Sequence, residues 1–210
     1  MRTRKKKWAA GVLTNNPRIL RDGDISLPQQ RPVHLELGCG KGRFIIETSR
    51  RHPDIHFVAV ERDETILATA ARRAEENGAG SLVFIHADVN DGLEFIKPGE
   101  ISRLYINFCD PWSRKKKWAK RRLTHDTFLE LYENLQIPEI FFKTDNRVLF
   151  ESSLESFSRK NWVLSNVSLD LHASNFPENI MTEYEEKFSP QGPIYRLEAQ
   201  ARPAAITGGT

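Results

Sequence analysis

Residues 33–52 read VHLELGCGKGRFIIETSRRH. The first five residues form a strand pattern, three glycines follow at 38, 40 and 42, and a helical pattern covers 41–52. Glycines at a strand-to-helix turn let a ligand approach the backbone and leave N–H groups exposed beside it. Their spacing is G-x-G-x-G, not the G-x-G-x-x-G of a dinucleotide site, which disfavours a nicotinamide-dependent dehydrogenase.

Outward from this unit the alternation continues. Strands are predicted at 56–61, 81–87, 101–108 and 139–145, with helices at 63–78, 125–135 and 147–160 and closing strands at 162–171 and 193–201. Asp63 is placed to cap its helix and Asn77-Gly78 to stop it. Such alternation implies an α/β domain with a largely parallel sheet covered on both faces, spanning 31–201. Residues 1–30 lack sustained periodicity and read as a basic arm, partly disordered when alone. Residues 202–210 read as a flexible tail.

At 210 residues, 39% hydrophobic and 28% charged, the chain is long enough for one domain with a sizeable core. No stretch approaches the ~20 apolar residues of a membrane span, and the basic start lacks the apolar length of a signal peptide. Cys39 and Cys109 form neither a disulfide framework nor a metal spacing, and the six histidines show no ligand pattern. The composition points to a cytoplasmic protein with no metal and no membrane partner, compatible with a monomer or a homodimer.

The net charge of +3 is unevenly placed. Of 31 Lys and Arg, five lie at residues 2–7 and seven at 114–122, and the remaining 19 face 28 Asp and Glu. Positive charge concentrated on an otherwise acidic body suits a polyanion, with nucleic acid foremost.

Acids recur where strands end. Glu36 precedes the first glycine, and Glu61 stands 23 residues after Gly38, where an acid can accept ribose hydroxyls. Asp88 follows the third strand, where a carboxylate can accept the adenine amino group. Asp110 follows the fourth, within NFCDPW (107–112). Asp145 ends the fifth, and TEYE (182–185) has both capping-box spacing and two further acids. In open α/β sheets ligands gather at the carboxyl ends of strands. Carboxylates there can also accept from the N1–H and amino group of guanine.

ELGCGKG resembles motif I of the class I methyltransferases. Together with NFCDPW and its basic run, FKTD (142–145), TEYEEKF (182–188) and PIYRLE (193–198), the chain from Val33 to about Ala199 resembles the bacterial tRNA (guanine-N7-)-methyltransferase family. The resemblance implies a Rossmann-like class I fold, a mostly parallel sheet with helices on both faces and an antiparallel closing strand. It implies methyl transfer from S-adenosylmethionine, released as S-adenosylhomocysteine, to N7 of guanine 46 in the variable loop of tRNA. Carried over by motif, Glu36, Gly38, Gly40, Gly42, Glu61, Asp88 and Asp110 would hold the cofactor, with Asp110 also catalytic. Arg114, Asp145, Thr182, Glu183, Tyr184 and Glu185 would bind the substrate, and Lys116, Lys117, Lys120 and Arg121 would touch RNA. Cys109, Ser113, Arg114 and Trp118 replace Ser, Pro, Lys and His of the family pattern, and one residue is missing before Pro193. Arg for Lys keeps charge but changes donor geometry. Two other readings compete: a methyltransferase acting on another RNA base or exocyclic amine, and a non-catalytic RNA-binding protein on a methyltransferase scaffold. The intact glycines and crevice acids weigh against the second.

Overall fold

The computed structural model describes residues 6–20, 25–112, 119–174 and 176–202. Where the first thirty residues read as irregular, it has helix α1 (Lys7–Asn15) and a short strand β1 (Ile19–Leu20). Tertiary contacts explain the difference, because a nine-residue helix is marginal alone. Ala9 is buried, the Trp8 ring lies 5.3 Å from the guanidinium of Arg72, and Ile19 pairs with Phe84.

The alternating elements follow as β2 (Val33–Leu37), α2 (Arg43–Arg51), β3 (His56–Glu61), α3 (Glu64–Glu76), β4 (Leu82–His86) and β5 (Arg103–Asn107). Then come α4 (Asp126–Asn134), β6 (Glu139–Thr144), α5 (Arg147–Arg159), β7 (Val163–Ser168), α6 (Glu183–Phe188) and β8 (Tyr195–Gln200). Asp63 does cap α3, accepting from Thr65 N at 2.9 Å and Ile66 N at 3.1 Å. The segment between β4 and β5 has only a 3-10 turn at Val89–Asp91, held to the core by Leu93 and Ile96.

The strands form one sheet in the order β1-β4-β3-β2-β5-β6-β8-β7. Pairing is parallel from β1 to β6, while β8 runs antiparallel to both β6 and β7. Every residue of β2 is buried, as a central strand covered on both faces requires. One face packs Phe128, Tyr132, Phe150 and Phe157 of α4 and α5, and the other packs Phe44, Ile45, Leu67 and Ala70 of α2 and α3. This mostly parallel, helix-covered sheet with antiparallel closing strands is the expected class I architecture. It brings the carboxyl ends of β2 to β6 to one edge, where the predicted acids sit. Among the described residues no helix is long and apolar enough to cross a membrane, and no His/Cys/Asp/Glu cluster could hold a metal ion.

Candidate active site

The turn from β2 to α2 is shaped by its glycines. Gly38, Gly40 and Gly42 have φ of 76°, 57° and 83°, in the left-handed region. A Cβ on Gly38 or Gly40 would meet nothing within 4 Å, whereas one on Gly42 would come within 3.1 Å of Ala70 and Ile46. The first two face open space, and the third lets α2 pack against α3.

Glu61 clamps this loop. Its Oε2 accepts from Gly40 N at 3.0 Å, and its Oε1 accepts from the backbone N–H groups of Arg62 and Asp63, each at 2.9 Å. A carboxylate has about four acceptor sites, so about one stays free. The expectation that Glu61 accepts a pair of ribose hydroxyls is therefore narrowed to one further donor.

Glu36 lies beneath the loop and is 1% exposed. Asn107 Nδ2 donates to its Oε1 at 2.8 Å, while Oε2 is buried without a hydrogen-bond partner. Burial pushes the carboxyl pKa up to about 7, opposed by the Asn107 hydrogen bond and the Lys143 charge.

Asp88 caps the 3-10 turn, accepting from Asn90 N at 3.0 Å and Asn90 Nδ2 at 2.8 Å. Burial works against its ionisation, but the Asn90 donors and the charges of Arg62 and Arg121 prevail and hold its pKa below the usual carboxylate value. Arg62 spans the gap between two predicted acids, 3.8 Å from Asp88 and 3.3 Å from Asp110. Glu61, Asp88 and Asp110 line one cavity of about 250 Å³.

A second cavity, of about 530 Å³, is lined by Glu36, Gly40, Phe108, Glu183, Tyr184 and Phe188, among others. Its wall is an aromatic ladder: Tyr184 lies 5.2 Å from Phe108 and 4.2 Å from Phe188 between ring centroids. The Tyr184 hydroxyl donates to Asp145 Oδ2 at 3.1 Å. Phe108 has φ of 53°, an unusual value for an aromatic residue, and its N–H is fixed to Lys143 O at 2.9 Å. Gly38 and Phe108 line both cavities, so the acidic and aromatic halves meet there.

A family model described as "Putative methyltransferase" matches residues 30–197. The tRNA (guanine-N(7)-)-methyltransferase of Halalkalibacterium halodurans is 46% identical over 213 residues, covering 96% of each chain. The protein of that name from Bacillus subtilis is 42% identical over 217 residues, covering 96% of this chain and all of its own. The chain belongs to the tRNA (guanine-N(7)-)-methyltransferase family. Among solved structures, the 16S rRNA methyltransferase KamB matches with a TM-score of 0.58 at 14% identity, over 89% of this chain and 99% of that one. At that identity the likeness shows the fold alone.

Within this methyltransferase the motif residues divide by environment. Thr182 and Glu185 close the capping box of α6, with Thr182 Oγ1 accepting from Glu185 N at 2.9 Å. Glu185 is fully buried. Its carboxylate accepts from Lys143 Nζ and Asn179 Nδ2, both at 2.7 Å, and lies 3.1 Å from His172 Nε2. The expectation that Glu185 accepts from a base is corrected: its carboxylate is already engaged in the interior. Glu183 pairs with Arg73 and lies 3.8 Å from Lys41, while Tyr184 stays 43% exposed to the cleft.

Ser113, Arg114, Lys116, Lys117 and Trp118 lie outside the described residues. Lys120 is exposed. Arg121 places its guanidinium 5.1 Å over the Trp112 ring and lines the Asp110 cavity. Arg122, counted in the same basic run, is buried: it donates to Pro111 O at 2.8 Å, Trp112 O at 3.1 Å and Ser152 Oγ at 3.0 Å. It anchors the Asp110 loop to α5, which nothing in a run of cations distinguishes beforehand. Asn107, although it opens NFCDPW, carries no expected role there, and Arg62 lies in no motif. Asn107 shares a strand face with Tyr105, and that alternation was the available signal for it. Arg62 becomes visible only once two distant acids converge on it.

Proposed function

We propose that this methyltransferase acts in the cytoplasm on tRNA, moving the methyl group of S-adenosylmethionine to N7 of the variable-loop guanine at position 46. The observation that carries the reading is the meeting of two cavities at Gly38 and Phe108, one lined by acids and one by aromatic rings. The fit to the cofactor rests on the chain's own unmet needs. Glu36 Oε2 is buried without a donor, which the cofactor's ammonium group supplies. Glu61 retains an acceptor site for ribose, Asp88 Oδ2, which faces Arg62 at 3.8 Å, would accept from an adenine amino group, and the open space at Gly38 and Gly40 admits the ligand. When bound, the cofactor presents a methyl group made electrophilic by its sulfonium.

Guanine N7 carries a lone pair, so the chain need not remove a proton before attack. Its task is alignment, for which effective molarities of ~10⁵–10⁸ M are known. Tyr184 and Phe108 offer faces on which an extruded base can stack, and Asp145 is held by the Tyr184 hydroxyl beside them. Positive charge develops on the purine during transfer, and Asp110, which lines the adjoining acidic cavity, would stabilise it. Arg62, 3.3 Å from Asp110, is its ion-pair partner. Lys120 and Arg121, with Arg114, Lys116 and Lys117, provide the RNA grip.

The test is transfer from labelled S-adenosylmethionine to unmodified tRNA, followed by strand cleavage at N7-methylguanine. Cleavage in the variable loop supports the reading. Label without that cleavage assigns another base or atom, and absence of both label and cofactor binding overturns it.

A further inference from the structure

Three cations line the aromatic cavity: Lys41 on the glycine turn, Arg43 at the start of α2, and Lys187 on α6. Two of them are already matched. Lys41 lies 3.8 Å from Glu183, and Arg43 pairs with Glu186. Lys187 differs. Its Nζ lies 5.1 Å from the centre of the Phe188 ring, and among the described residues it has no ion-pair partner.

The acids of its own helix explain why. Glu183, one turn earlier and at the usual spacing for a helical ion pair, is taken by Arg73 with Lys41 nearby. Glu185 is turned into the interior, 2.7 Å from Lys143, and Glu186 belongs to Arg43. Each carboxylate of α6 thus has a cation from outside the helix, and the Lys187 charge is left over. The Phe188 contact does not consume it, because a cation–π contact at an exposed site is weak and an ammonium carries three donors.

Position decides what that charge can meet. One end of the cavity is buried, with Glu36 1% and Cys39 9% exposed, whereas Tyr184 and Lys187 mark its open side. A nucleotide entering base-first keeps its phosphates at the open side, because burying their charge is costly. Tyr184 and Lys187 stand three residues apart on α6, neighbours on one face of the helix. A ribose bridges a comparable gap between a base and its phosphate.

We propose that Lys187 binds a phosphate flanking the target guanine and so sets how far the base enters the aromatic cavity. This rests on the reading that the guanine enters there. A flanking phosphate accompanies every base, so the contact fixes position and carries no sequence information. It is a role apart from the 114–122 run, since Lys187 lines the aromatic cavity itself.

The experiment measures methyl transfer to tRNA joined from two pieces, with a phosphate or an uncharged methylphosphonate on either side of the guanine. With phosphate throughout, Lys187→Ala is expected to lower kcat/KM about tenfold, mainly through KM. It should also reduce the magnitude of the salt slope of tRNA affinity by about 0.7. Lys187→Arg keeps the charge and should recover most of both, while Lys187→Gln repeats the loss with a longer neutral side chain. A methylphosphonate at one of the two linkages should cost the parent a similar factor. Lys187→Ala combined with that linkage should lose little more, since both changes remove one contact. The linkage that behaves so distinguishes the 5′ from the 3′ phosphate. Affinity for S-adenosylhomocysteine should be the same in every variant. Additive losses at both linkages, or unchanged kcat/KM and slope in Lys187→Ala while the parent transfers, overturn the proposal and leave the guanine reading intact. Weaker S-adenosylhomocysteine binding by variants that melt with the parent also overturns it, by assigning Lys187 to the cofactor's carboxylate. Absence of transfer by the parent overturns the guanine reading and this proposal with it.

Discussion

Glu36 combines a carboxylate oxygen bonded to Asn107 with one that has no partner, all within the sheet. Its folded-state pKa, about 7, stands above the ordinary glutamate value of 4.5. A raised folded pKa means that the stability contribution is complete below about pH 4.5 and is lost as pH rises through 7. The difference corresponds to about 3 kcal/mol at full ionisation. Denaturant unfolding of Glu36→Gln is therefore expected to match the parent at pH 4.5 and to exceed its stability by about that amount at pH 8. The same variant should bind S-adenosylmethionine about tenfold or more weakly, because a charge-assisted hydrogen bond is lost. Stability that tracks the parent at every pH would remove the buried charge from the account. Asp110 makes the opposite case: it is exposed and lies 3.3 Å from Arg62. Asp110→Ala is expected to lower kcat by about 10²–10³, as removal of a group that stabilises developing charge does, with tRNA affinity nearly intact. Unchanged turnover with tRNA would exclude the role.

At the scale of elements, the sequence revealed those whose signals are local. The glycine turn, the Asp63 cap and the T-x-x-E box follow from side-chain chemistry within a few residues, and all three are present. Helix α1 was not legible, because Ala9 and Trp8 gain their partners from α3, some sixty residues away. The division of labour within TEYE was hidden for the same reason. Glu185 turns inward only because Lys143, on β6, waits there with Asn179 Oδ1 and Ile180 O as its other acceptors, each at 3.0 Å. Burial lowers the Lys143 pKa and the Glu185 charge opposes that shift, so the pair is mutually dependent. Lys143→Met should cost about 3–5 kcal/mol, the usual result of leaving a buried charge unpaired. Lys143→Met with Glu185→Leu should recover most of that stability. Because the pair pins α6, and α6 carries Tyr184, the double variant should still fold but show a raised KM for tRNA. Additive losses in the two single variants would show that the pair is not coupled.

For the whole molecule, the segregation of charge is the property that composition alone made visible. Twelve cations in two runs stand against an acidic remainder, a composition suited to gripping phosphates. The described members of the second run nevertheless have three different environments. Lys120 is exposed, Arg121 lies over Trp112 at the Asp110 cavity, and Arg122 is buried as an anchor for Pro111 and Trp112. Counterion release separates such roles, since each phosphate neutralised adds roughly 0.9 to the magnitude of the salt slope for a duplex and about 0.7 for a single strand. Lys120→Ala should therefore reduce the slope of log affinity for tRNA against log salt by roughly one, without altering kcat at saturation. Arg122→Ala should leave the slope unchanged and lower kcat, because it frees the backbone of the Asp110 loop instead of removing a phosphate contact. Arg121→Ala, at the boundary, should do some of both. Equal slope changes for all three would mean that the run acts as one undifferentiated patch, and that Arg122 leaves its buried position when RNA binds.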